Sequence, residues 1–169
     1  MARPWYKRQE IPDPQVRDAA DHFESARQLL WAQPPGSGLL YPLLNAAAVA
    51  IELYLKCLSA EKVYHAGEGW GNICAKPSMR GHVLTTLFDN IDCDLQQELD
   101  STYGSQLSAF GGLSFRDVLS QCEGALHESC YPFEPASDPA KYPLGLLMAC
   151  SHSLHQFVAK LKTKDRIRY

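Results

Sequence analysis

Four side chains have the types needed to hold an anion or move a proton: Glu52, Lys56, Arg80 and His82. Glu52 and Lys56 are four positions apart, in the order that favours pairing on one helix face. A lysine ammonium in such a place supplies a point charge for a phosphate. Arg80-Gly81-His82 stands just ahead of an apolar stretch. His82 can therefore act as a base, or join Arg80 in gripping a phosphate at a helix N-terminus. A plainer account competes with each assignment. Buried charges must be paired, so Glu52 and Lys56 also read as a structural ion pair. His82 also reads as a hydrogen-bonded residue that fixes its loop.

Two further groupings invite a metal. In Cys150-Ser-His152-x-x-His155 the two histidines share a helix side and Cys150 does not. Two ligands are too few for a closed zinc site. Cys122, His127 and Cys130 fall short in the same way, so no metal and no cofactor is expected. The six cysteines form no C-x-x-C pair. With no secretory signal predicted, they read as reduced thiols of a cytoplasmic protein. The motifs of P-loop, dinucleotide-binding and nucleophile-elbow enzymes are missing.

The elements that must position these residues are helical. Residues 42–60, PLLNAAAVAIELYLKCLSA, are apolar almost all round, as a helix at the centre of a bundle is. One polar stripe remains on it: Asn45, Glu52, Lys56 and Ser59, expected to face one shared spot. This helix is expected to continue toward His65, with Pro42 in its first turn. Before it, Asp13-Pro14 is an N-cap followed by proline at the first helical position. It opens an amphipathic helix to about Gln33, with Phe23 and Leu29 inward and Arg17, Asp18, Asp21, Glu24 and Gln28 on the polar side. PPGSG at 34–38 ends that helix, and so short a link returns the chain antiparallel. Later helices are expected from His82, over roughly 95–108, from the capping-box-like Ser114 to Cys130, and over 143–162. No alternating β-branched run appears, so no sheet is expected. The predicted fold is all-α, a helical bundle of two long antiparallel helices plus shorter ones.

The order AAVAIELYLKCLSAEK, glycine-rich loop, GHVLTTLF resembles the HEPN superfamily over about residues 42–90. Glu52, Lys56, His82 and Leu84 stand where that pattern has them, and Tyr131-Pro132 matches an aromatic–proline pair common after a later helix. The resemblance implies a small helical bundle, usually a homodimer. Such proteins include RNA-cleaving toxins, partners of nucleotidyltransferase antitoxins, and non-catalytic nucleotide- or RNA-binding modules. The chain departs from the ribonuclease members, which carry Arg followed five to seven positions later by His on a helix after the His-Leu segment. The next His after Arg116 is His127, eleven positions on. Only Arg17–His22 has the spacing, and it lies ahead of the central helix.

At 169 residues, a single domain is expected, with residues 1–12 as an extended arm and 163–169 as a basic tail. The tail can contact RNA, or it can complement a helix dipole. The net charge of −3 gives no global pull toward nucleic acid. Glu52 and Lys56 interrupt the longest apolar run, so no membrane span is expected. The sequence thus predicts a HEPN-like binding or regulatory module for nucleotide or RNA at Glu52, Lys56, Arg80 and His82. A ribonuclease using Arg and His from different helices, and a structural interaction module, are the alternatives.

Overall fold

Helix formation starts where capping chemistry puts it. In the computed structural model, which describes residues 5–65, 72–74, 81–107, 112–130, 138 and 141–168, the Asp13 carboxylate accepts hydrogen bonds from the amides of Gln15 and Val16, both at 3.0 Å. That satisfies two of the amides every helix start leaves open. Helix α1 then runs Pro14–Trp31 and α2 runs Leu40–Cys57, with Pro42 inside its first turn. The two long helices pack along each other around the 34–38 turn. Shorter helices α3 (Leu84–Asp89), α4 (Cys93–Leu107), α5 (Phe115–Cys122), α6 (Ala125–Cys130) and α7 (Leu144–Lys160) complete a bundle. Helix α2 lies at its centre, in contact with α1, α3, α6 and α7.

The core follows from that placement. Leu44, Ile51, Tyr54 and Leu55 of α2 are sealed, as are Phe115 and Leu119 of α5 and Leu147 of α7. Each such aliphatic side chain stabilises the fold by about 2 kcal/mol. By length and composition alone α2 could cross a membrane, yet 61% of it is buried inside the bundle. Its alanines, Ala46, Ala47, Ala48 and Ala50, are what let neighbouring backbones approach.

Three expectations are corrected. A sheet exists: strands β1 (Trp5–Ile11), β2 (Glu61–His65), β3 (Asn72–Cys74) and β4 (Lys164–Arg168) pair antiparallel in the order β3-β2-β1-β4. Strands β1, β2 and β4 are short and carry several charges, and β3 is only three residues long, so none shows an apolar alternation on its own. Pairing between distant segments, Arg8 with both Lys62 and Ile167, makes them strands. The arm and the basic tail are thus largely two neighbouring strands. Helix α2 does not continue toward His65: it ends at Cys57, and the residues expected in its last turns form β2. The helix from Ser114 does not run through to Cys130. Its capping box forms, with Ser114 Oγ accepting from the Asp117 amide at 3.1 Å. Gly124 then breaks it into α5 and α6 at φ 83°, a conformation that favours glycine.

Helix α1 is also turned from the expected face. Phe23 is 38% exposed and Leu29 70%, while Glu24 is 1% exposed. The line Ala20, Glu24, Arg27 faces inward. This works because Arg27 donates to both Glu24 oxygens, at 2.7 and 2.6 Å, and Ser151 of α7 donates to Glu24 at 2.6 Å. Burial pushes the Glu24 carboxyl up, but these bonds outweigh it and hold it below the usual range.

Candidate functional site

The central helix presents Glu52 and Lys56 on one edge, one turn apart, and the chain entering α3 brings His82 to the same place. Glu52 is 6% exposed. Its two oxygens are divided: Oε1 accepts from Lys56 Nζ at 2.6 Å, and Oε2 meets His82 Nδ1 at 2.7 Å. The side chains of Lys56 and His82 are 21% and 71% exposed. The arrangement is a sealed carboxylate that fixes an ammonium and an imidazole at a surface mouth. Since a carboxylate accepts, the His82 Nδ1 carries the proton, and in the neutral ring Nε2 is left as an acceptor on the opposite edge. Lys56 keeps two N–H donors beyond the one given to Glu52.

Of the four residues singled out from the sequence, three come together. Arg80 lies outside the described residues, as do Trp70, Tyr131-Pro132 and Tyr169. The stripe on α2 does not face one shared spot. Asn45 turns to α6, donating to Cys130 Sγ at 3.1 Å, and Ser59 donates back to its own helix at Leu55, at 3.4 Å. Nor does His82 lead a helix N-terminus free to take a phosphate. Helix α3 starts at Leu84, and the Thr85 amide already donates to the Glu123 carboxylate at 2.9 Å. A negative side chain from the end of α5 occupies that position.

The Arg–His pair with ribonuclease spacing does not assemble. Arg17 turns to Asp21, with Nε 3.6 Å from Oδ2, while His22 is exposed. Arg116 is engaged by Asp89 in a two-pronged pair at 2.8 and 2.9 Å. That bond holds Asp89 below the usual carboxylate range.

A second polar centre was not legible as such. Tyr54 counts as an apolar-face residue by spacing, yet its buried hydroxyl meets Asp21 Oδ1 at 2.7 Å and His155 Nδ1 at 2.8 Å. Burial, with the Asp21 carboxylate beside it, pushes the Tyr54 phenol well above its ordinary value. The available signal was a tyrosine inside an otherwise aliphatic helix, which needs a partner for its hydroxyl. No group of three or more His, Cys, Asp or Glu side chains converges as a metal site among the described residues. Cys57, Cys93, Cys122, Cys130 and Cys150 are free thiols.

At the tip of the α1–α2 pair a groove of about 640 Å³ runs along Leu30, Trp31, the 34–38 turn, Leu40 and Leu144. Trp31 is 52% exposed there.

No family model, no curated protein and no solved structure matches the chain.

Proposed function

We propose that this protein is a HEPN-like helical binding module that takes a nucleotide or a short RNA segment at Lys56 and His82. The supporting observation is the Glu52 carboxylate, buried and shared between the two. A loose surface lysine loses side-chain freedom when it grips a ligand, whereas Lys56 is already held at 2.6 Å. Its remaining donors suit a phosphate, and the exposed His82 ring is a platform on which a base can stack. Among the described residues the site carries one fixed cation, Lys56, so affinity is modest and falls with added salt. Binding is favoured over cleavage because Arg17, the arginine with ribonuclease spacing to His22, is turned to Asp21.

Fluorescence anisotropy with a labelled single-stranded RNA, and calorimetry with ATP, test this reading. Binding that weakens at least tenfold in Lys56→Ala and several-fold in His82→Ala is the expected result. Wild-type protein that binds neither probe, or Lys56→Ala protein that binds as well as wild type, overturns it.

A further inference from the structure

Helix α7 carries two histidines one turn apart, and helix α1 sets a carboxylate behind each. His155 Nδ1 lies 3.2 Å from Asp21 Oδ1, and His152 Nδ1 lies 3.7 Å from Glu24 Oε1. The two rings are partly exposed, at 35% and 49%, with centroids 6.5 Å apart.

The Tyr54 hydroxyl fixes the state of His155. It has one proton and two neighbours, Asp21 Oδ1 at 2.7 Å and His155 Nδ1 at 2.8 Å. Were that proton given to His155, the tyrosine oxygen would face the carboxylate oxygen with no hydrogen between them. The imidazole lone pair would face the same carboxylate at 3.2 Å. The two short contacts each hold a proton only if Tyr54 donates to Asp21 and His155 donates through Nδ1–H to the Tyr54 oxygen, with Asp21 Oδ1 at 3.2 Å sharing that N–H. The lone pair of the neutral ring is then on Nε2, on the edge away from Asp21.

An imidazole whose far nitrogen donates to a carboxylate, leaving the near one unprotonated, is the usual state of a metal-binding histidine. His155 is held in this way; His152, whose Nδ1 at 3.7 Å is beyond hydrogen-bond reach of Glu24, presents its Nε2 as an acceptor to the Gln156 amide instead. The Asp21 carboxylate behind His155 favours a cation over an anion. We infer that His152 and His155 form an open site for a divalent transition-metal ion of the zinc class, with water or a further ligand in the remaining positions. Metal–nitrogen bonds of about 2.0–2.1 Å at a tetrahedral angle put two ring centroids about 5 Å apart. The rings close that distance by side-chain rotation, which their exposure permits. Gln156, whose Nε2 lies 2.8 Å from His152 Nε2, swings aside or turns its amide oxygen toward the ion.

Titration of the full chain with Zn²⁺, followed by long-range ¹H–¹⁵N spectra of the histidine rings, reads both the tautomer and the ligands. The expected result is an Nδ1–H tautomer for His155 before zinc, and movement of the Nε2 signals of His152 and His155 together at one equivalent. Calorimetry of Asp21→Asn is expected to show zinc affinity reduced at least tenfold, and His152→Gln to lose the site. Zinc that binds the exposed thiols and leaves both rings unmoved overturns the inference. So does movement of one ring alone, an Nε2–H tautomer in the zinc-free protein, or unchanged affinity in Asp21→Asn.

Discussion

Single side chains in this bundle carry charge where spacing alone would place hydrocarbon. Glu24 and Arg27 are inward, at 1% and 6% exposure, and each is tolerable only because the other is there. Removing one partner of a buried pair costs about 3–5 kcal/mol, whereas replacing both by apolar residues of similar volume is often neutral. Arg27→Ala is therefore expected to lower the unfolding free energy by about 3 kcal/mol in a urea melt. The double variant Arg27→Met with Glu24→Leu is expected to recover most of that loss. Periodicity could not reveal this, because Glu24 and Arg27 sit three apart and read equally well as a solvated surface pair. Glu52 and Lys56 were legible for the opposite reason: on a helix otherwise apolar all round, two charges four apart have little choice but to face each other. Their third partner was legible as a histidine at an element boundary, though what it touches is a carboxylate rather than a helix start.

Elements were read most safely where a cap or a break has local chemistry. Asp13-Pro14 and Ser114 with Asp117 open helices as their side chains require. The break at Gly124 was missed because a single glycine inside a helical pattern is often tolerated. Tertiary context decides it: a Cβ built at Gly124 would lie 2.7 Å from the Tyr142 hydroxyl, and φ is 83°. Gly124→Ala thus suffers both a clash and an unfavourable backbone. Thermal denaturation is expected to show a loss of about 1–3 kcal/mol. An alanine variant as stable as wild type would mean that the α5–α6 corner can re-form as one helix.

Over the whole molecule, the bundle was visible in the sequence and the sheet was not. Helices declare themselves within a turn or two, while the central strand β1 finds both its partners, β2 and β4, more than fifty residues away. The sheet is tied to the bundle by Lys62 of β2, which reaches Asp13 Oδ2 at 3.0 Å and Glu10 Oε2 at 3.4 Å. Asp13 Oδ2 is sealed and meets Lys62 as an ion pair rather than an aligned hydrogen bond. Burial works against the ammonium, but the two carboxylates outweigh it and raise Lys62 above its ordinary 10.5. A raised lysine contributes stability that is complete below its ordinary value and is lost as pH climbs through the folded one. Wild type is expected to exceed Lys62→Met in stability at neutral pH, with the gap narrowing above about pH 10.5. Urea melts across that range check it, and a gap that stays constant would remove the clamp from the account.

The order β3-β2-β1-β4 has a consequence for synthesis. Strand β1 is translated before helices α1–α7, yet its neighbour Lys164–Arg168 follows all seven of them. The early segment must wait with one hydrogen-bonding edge open while the bundle assembles beside it, and the closing strand then seats against a surface already built.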